Sequence, residues 1–167
     1  MTVRPARVAD YEALIALFDE LDEFHRRARP DFFQPFAGPA RTREQVERWL
    51  SDPDSMVLVA ENEAGVVGLA LLLTRPRAAF AGAAPRKVIE VDNLVVRVDQ
   101  RGKGIGHRLL EAAVDWSRQQ QATHIEVSVH AFNGRARRFY RHFGFVPSME
   151  RLVGAASRSL AITKPMA

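Results

Sequence analysis

The chain has 167 residues, of which 47% are apolar and 26% are charged. This length fits one domain, and the apolar fraction excludes an intrinsically disordered or fibrous protein. There is no cysteine, which excludes a disulfide framework, a thiolate nucleophile and a thiolate metal site. The formal net charge of +4 suits an anionic partner, but arginine spread over a solvated surface is the simpler explanation.

No apolar stretch in the sequence approaches the span of a bilayer, and the charged N-terminal segment lacks an apolar core of the signal-peptide type. We therefore expect a cytoplasmic protein with no membrane partner.

The first half of the chain predicts helices that follow a short strand and precede a hairpin. Apolar residues at three- and four-residue spacing mark the first helix, and Thr42 with Gln45 resembles a capping box that starts the second. The turn 62–65 ends in Gly65 and is typical of a β-hairpin. Strands are predicted at 3–7, 56–60 and 66–74, and helices at about 10–27 and 42–50.

The second half begins with the longest β-rich run, residues 87–98. Its alternation predicts Val88, Glu90, Asp92 and Leu94 on one face, and Ile89, Val91, Asn93 and Val95 on the other. Carboxylates on so apolar a strand are unusual. A helix to about 121, a strand at 124–130, a helix at 133–143 and strands at 145–146 and 157–163 follow, which predicts a mixed α/β layer structure.

A glycine-rich turn lies between the long strand and the next helix, with the sequence Arg101-Gly102-Lys103-Gly104-Ile105-Gly106. Glycines let a backbone approach an anion closely, and a helix N-terminus attracts negative charge. The P-loop pattern is absent, and the dinucleotide fingerprint fails because His107 occupies its third glycine position. The turn therefore predicts either a phosphate site or a plain strand-to-helix connection.

This turn resembles the Arg/Gln-x-x-Gly-x-Gly signature of the GNAT superfamily of N-acetyltransferases. The later segment 133–145, which includes Asn133, Ala136 and Phe139-Tyr140, is similar to a second motif of that family in the same order. The resemblance implies an α/β fold with a mixed, mostly antiparallel sheet of six to seven strands and helices on both faces. It also implies one acetyltransferase domain over 1–167, in which helices within 10–52 flank the acceptor site and 87–146 forms the core that binds acetyl-CoA.

The resemblance assigns the acetyl-CoA pyrophosphate to the backbone N–H groups between Arg101 and Gly106. It also implies that the strand end splays from the strand starting at Ile125, to admit the pantetheine arm. The backbone N–H of Val96, or of a neighbour, would polarise the thioester carbonyl. The cofactor-binding residues expected on this basis are Leu94, Val95, Val96, Arg101, Gly102, Lys103, Gly104, Ile105, Gly106, Asn133 and Tyr140.

Three residues are expected to be catalytic. The family places the tyrosine corresponding to Tyr140 near the thioester sulfur, as general acid to the departing thiolate. Glu90 and Asp92 are candidates to take the proton of the incoming ammonium or to hold it, and two carboxylates neutralised by nearby arginines are the alternative. Attack by the amine would be direct, since no cysteine is present to carry an acetyl group.

Other side chains leave the acceptor and the partners open. Glu20, Asp22 and Glu23 are either a cation-attracting wall or a solvated acidic face beside a packed His25, and the solvated face is the simpler interpretation. No pairing of histidines at metal-ligand spacing is seen, so no metal is expected. A primary amine of a small molecule or peptide is the expected acceptor, and a homodimer is possible. The alternatives are a non-catalytic acyl-CoA sensor and, less favoured, a nucleic-acid module using Arg135, Arg137, Arg138 and Arg141.

Overall fold

A five-stranded sheet organises the computed structural model, which describes residues 1–39, 41–76 and 82–154. The strands are β1 (Thr2–Pro5), β2 (Ser55–Asn62), β3 (Gly65–Pro76), β4 (Lys87–Val96) and β5 (His124–Val127), adjacent in that order. Neighbouring strands are antiparallel except for the parallel pair β4 and β5. The helices are α1 (Tyr11–Ala28), α2 (Arg43–Ser51), α3 (Ile105–Gln119) and α4 (Gly134–His142). The predicted fold class, a mixed and mostly antiparallel α/β structure, is confirmed.

Local chemistry sets the ends of these elements. Thr42 Oγ1 accepts a hydrogen bond from the Gln45 backbone N–H at 3.2 Å, which caps α2. In the β2–β3 turn, Asn62 Oδ1 accepts the Ala64 N–H at 2.8 Å, and Gly65 adopts a φ of 86°. A residue with a side chain is strained at such a φ, so glycine suits this turn.

Helices cover both faces of the sheet. On one face, alternate β2 and β3 residues pack with buried residues of α1 and α2. On the other face, Gly68 of β3 lies against Leu109 and Ile105 of α3. The buried cluster of the first face comprises Leu14, Leu17, Phe18, Val46, Val57, Val59, Leu69, Leu71 and Val95.

The number of strands differs from the six to seven expected, since the described residues form five. Phe145 and Val146 are not in a strand, so that prediction is wrong. The Phe145 N–H instead donates to the Tyr140 carbonyl at 3.0 Å, in the turn that ends α4, and Val146 is 81% exposed. The predicted strand at 157–163 lies outside the described residues. The strands predicted at 87–98 and 124–130 end earlier, at Val96 and Val127.

The chain divides into two compact units, Met1–Phe132 and Asn133–Ala167. The sheet and helices α1 to α3 belong to the first unit, and α4 belongs to the second. Within the described ranges, none of the helices combines the length and the apolar character that crossing a bilayer requires.

Gly68 marks the closest approach of α3 to the sheet, and replacing it tests this packing. A Cβ at this position would lie 3.1 Å from both Leu109 Cδ1 and the Val95 carbonyl oxygen. We expect Gly68→Ala to lower the free energy of unfolding by about 1–3 kcal/mol, because the backbone oxygen cannot yield as a side chain can. Urea denaturation measures the change. Gly134→Ala is the control, since its Cβ would meet only the flexible Arg138 side chain at 3.5 Å, and an equal loss there would contradict the prediction.

Candidate active site

A β-bulge in β4 sets the geometry of the candidate site. Leu71 of β3 pairs with Asn93, but its neighbour Leu72 pairs with Val91, so Asp92 has no partner of its own. Bulges of this kind bend a strand and redirect a side chain. They also break the two-residue alternation that the sequence predicts.

The predicted division of β4 faces is therefore wrong beyond the bulge. Val95 pairs with Leu69 and joins the buried cluster under α1, on the same face as Glu90, which pairs with Leu73. Leu94 pairs with Ala70, on the face that α3 covers. The extra residue at Asp92 shifts every later side chain to the opposite face.

Glu90 and Asp92 do lie close together, as their contacts with one guanidinium show. Arg75 donates from Nε to Glu90 Oε2 at 2.5 Å and from Nη2 to Asp92 Oδ1 at 3.2 Å. The second oxygen of Asp92 accepts a hydrogen bond from Asn93 Nδ2 at 2.9 Å. Arginine pairing, the alternative considered for these carboxylates, is thus present, and it leaves both partly exposed to solvent.

Asp92 has the electrostatics of a proton acceptor. Burial raises the pKa of its carboxyl above the ordinary value of 3.8, and the negative charge of Glu90 raises it further. Arg75 and Arg41 act in the opposite direction without cancelling this effect. A raised pKa brings a carboxylate closer to the pH at which it can accept a proton efficiently.

Beyond the bulge, one edge of β4 is not covered by β5. The parallel pairing of the two strands ends at Val91 and Val127, whereas β4 continues to Val96. The Arg97 N–H donates to the Val67 carbonyl of β3 at 2.9 Å. Because antiparallel partners alternate between bonded and non-bonded pairs, the backbone groups of Leu94 and Val96 point away from β3, toward this open edge. The ladder between β4 and β5 therefore stops before the end of β4, and the splay that the resemblance implies stays a prediction.

The glycine-rich turn follows this edge directly. Gly102 and Gly104 have φ values of 80° and 76°, and a Cβ on either would meet no atom within 4 Å. Gly104 caps α3 without a side-chain hydrogen bond, and Ile105 and Gly106 are the first helical residues. The first N–H groups of a helix have no partner within the helix. The turn therefore presents them, at the positive end of the helix dipole, beside an open backbone.

The cationic side chains of the turn have partners within the protein. Arg101 donates from Nε to the Val96 carbonyl at 2.7 Å and from Nη2 to Glu20 at 2.5 Å. Lys103 Nζ donates to Gln100 Oε1 at 3.0 Å. Arg101 therefore ties the turn to the end of β4 and to α1, while Gly102 and Gly104 are exposed.

The second unit carries the two remaining predicted residues, Asn133 and Tyr140, on one helix. Asn133 Oδ1 accepts the Ala136 N–H at 3.0 Å and caps α4. Tyr140 is buried, with its ring edge-on to Phe139 and Phe145. Burial raises the pKa of the Tyr140 phenol further above its ordinary value of 10.0, so the hydroxyl is protonated at neutral pH as in any tyrosine.

The acidic residues of α1 pair with arginines. Glu20 pairs with Arg101, Asp22 with Arg41 at 2.5 Å, and Glu23 with Arg26 and Arg27. The simpler interpretation, a solvated acidic face, thus holds only in part, because Glu20, Asp22 and their arginines are largely shielded.

His25 packs as the sequence predicts, but among neighbours that spacing did not reveal. Its Nδ1 lies 2.9 Å from the Leu21 carbonyl, and its ring contacts those of Phe33, His130 and Phe132. In the described parts of the chain, no three His, Cys, Asp or Glu side chains cluster so as to hold a metal ion. The absence of a bound metal stays a prediction.

Comparison with known proteins agrees with this geometry. Residues 18–145 match the model of the acetyltransferase (GNAT) family. The chain is 28% identical over 145 residues to YhfO of Bacillus subtilis (strain 168), described as an uncharacterised N-acetyltransferase, covering 87% of this chain and 89% of that protein.

Two solved structures have the same fold. An X-ray structure of a tetramutant of the BH1408 protein from Bacillus halodurans has a TM-score of 0.87 and 26% identity, over 93% of this chain and 99% of that one. The aminoglycoside N-acetyltransferase AAC(6')-Iy in complex with CoA has a TM-score of 0.70 at 15% identity, over 95% of this chain and all of the other. The chain carries the predicted motifs on the predicted fold and belongs to the acetyltransferase (GNAT) family.

Proposed function

We propose that this protein is an acetyl-CoA-dependent N-acetyltransferase that transfers the acetyl group directly to a primary amine. The observation that carries the proposal is the continuity of three features along one stretch of chain: the Asp92 bulge, the open edge of β4 and the glycine-rich turn. Membership of the acetyltransferase family and a CoA complex of the same fold support it.

The residues of the first unit suit a CoA thioester. The N–H groups from Gly102 to Gly106 would hold the pyrophosphate, since the αL glycines and the start of α3 offer donors to an anion. The edge of β4 from Leu94 to Val96 would bind the pantetheine arm in the manner of an added strand. The Val96 N–H would donate to the thioester carbonyl.

Acetyl-CoA supplies an activated acetyl group, which passes from the thioester sulfur to the amine nitrogen. Asp92 would accept the proton that the ammonium must lose before it becomes a nucleophile, directly or through water. Glu90 is the second carboxylate available for that role or for holding the cation. Tyr140 would return a proton to the sulfur, since a phenol is protonated at neutral pH.

A small molecule or a peptide bearing a primary amine is the proposed acceptor class. The single domain over 1–167, a cytoplasmic location and a homodimer stay predictions.

Release of free CoA thiol from acetyl-CoA with a panel of amines tests the proposal. We expect turnover with at least one amine, and a fall in kcat of about 10- to 100-fold in Tyr140→Phe, with little change in the KM of the acceptor. The expected loss is at or below the lower limit for a general acid, about 100-fold, because a thiol, with a pKa of about 8.5, leaves readily without help.

Tyr11→Phe is the matched control, since it removes the other tyrosine hydroxyl, which donates to the Arg41 carbonyl at 3.1 Å. It is expected to retain wild-type kcat. Binding of acetyl-CoA without turnover of any amine would instead support a non-catalytic acyl-CoA sensor.

A further inference from the structure

We propose that Arg75 is a positioning residue that holds Asp92 in place and tunes its proton affinity by sharing one positive charge between two carboxylates. This inference rests on the proposed function, because it takes Asp92 as the proton acceptor. Arg75 belongs to neither family motif and lies on β3, opposite β4.

The strand register explains how one arginine reaches both acids. Arg75 pairs with Val88, and its side chain runs along the same face to Glu90 and then to Asp92. The two contacts are unequal: the donor–acceptor distance is 2.5 Å to Glu90 and 3.2 Å to Asp92. Alternation along β4 places Asp92 on the same face as Glu90, where Arg75 lies, and the bulge leaves Asp92 without a partner residue of its own on β3.

The charge balance around Asp92 involves several elements. Glu90 lies on the same strand, and Glu126 of β5 is the register neighbour of Glu90. Arg75 faces Asp92 from β3, and Arg41, which precedes α2, acts on it electrostatically while paired with Asp22 of α1. The positive charges of these two arginines are therefore shared among three carboxylates: Glu90, Asp92 and Asp22.

This arrangement both orients the Asp92 carboxylate and preserves its affinity for a proton, two requirements that conflict in most ion pairs. An arginine bound tightly to one aspartate depresses its pKa and makes it a poor base. Here the shorter contact goes to Glu90, so Asp92 keeps a hydrogen bond that orients it without losing its affinity for a proton. Asn93 fixes the other carboxylate oxygen. The result is an oriented carboxylate whose proton affinity stays above that of an ordinary aspartate.

Substitution of Arg75 by glutamine tests this role through the pH profile. Removing the guanidinium that hydrogen-bonds to both acids leaves their negative charges less compensated, so the acid limb of kcat should move to higher pH by about 1–3 units. An NMR titration of the Asp92 carboxyl in the free protein should shift in the same direction. In the double variant Arg75→Gln with Glu90→Gln, the negative charge of Glu90 is removed as well, so the acid limb of kcat should return toward its wild-type pH. Arg75→Lys keeps the charge and should shift the limb less than glutamine does.

Arg4→Gln is the matched control, because Arg4 of β1 also joins two carboxylates, Asp10 and Glu61, at 2.8 Å each. It should lower stability and leave the acid limb unchanged. The inference would be overturned if Arg75→Gln turned over with the acid limb of kcat at its wild-type pH and with an unchanged NMR titration of the Asp92 carboxyl. The proposed function would stay intact in that case. Absence of turnover in the wild type would count against the proposed function, and the NMR titration would still test Arg75.

Discussion

Asp92→Asn is expected to lower kcat by roughly 100- to 10,000-fold, the range that removal of a general base produces. The substitution keeps the shape of the side chain and its hydrogen bond with Arg75 but cannot accept a proton from the ammonium. Steady-state release of CoA thiol at saturating acetyl-CoA and acceptor measures it.

The pH dependence follows from the sign of the Asp92 shift. Its pKa is raised, so the carboxyl is still protonated at a pH where an ordinary aspartate is ionised. Activity should therefore be present above this raised pKa and be lost as pH falls through it. In Asp92→Asn this acid limb should disappear from the residual activity.

Glu90→Gln is the matched control for this prediction. It removes the like charge that raises the pKa of Asp92, so the acid limb should move to lower pH while most of kcat is retained. If Glu90→Gln abolished turnover and Asp92→Asn did not, the roles of the two carboxylates would be reversed. Circular dichroism and a urea midpoint close to that of the wild type establish that each variant is folded.

Gly104→Val is expected to raise the KM of acetyl-CoA roughly 10- to 100-fold, which corresponds to losing one hydrogen bond to a charged group. Gly104 has a φ of 76°, and a Cβ there meets no protein atom within 4 Å. Since the Cβ itself meets no protein atom, the expected effects of the new side chain are backbone strain and obstruction of the N–H groups at the start of α3. Initial rates at varied acetyl-CoA concentration measure the change.

Gly65→Val separates these two effects. Gly65 has a φ of 86° and the same open surroundings, but it lies in the β2–β3 turn. It should lose a similar amount of stability and keep the wild-type KM for acetyl-CoA. An equal rise of the KM in both variants would assign the effect of Gly104→Val to strain alone.

The sequence was a sufficient guide wherever structure depends on neighbouring residues. The cap of α2 at Thr42, the cap of α4 at Asn133 and the turn at Gly65 all follow from side chains within three residues of the backbone groups they satisfy. The family motifs added the glycine-rich turn and the acetyltransferase fold, which the match over residues 18–145 supports.

The features that the sequence did not reveal depend on strand register and on contacts between distant residues. The bulge at Asp92 arises from pairing with β3, about 20 residues earlier in the chain, and regular alternation predicts the wrong face for Val95. Arg75 and Arg41 have no spacing that links them to β4, and His130 meets His25 only through the fold. The number of arginines in the sequence suggests that Glu90 and Asp92 are neutralised, but it does not indicate which arginine contacts both of them.

Isothermal titration calorimetry of CoA into the folded wild-type protein tests the central claim, that a CoA thioester binds along the open edge of β4 and the turn at Gly104. We predict saturable heat with one site per chain, competition by acetyl-CoA, and weaker binding in Gly104→Val but not in Gly65→Val. A folded protein that gave no heat with CoA and no competition between CoA and its acetyl ester would contradict the account.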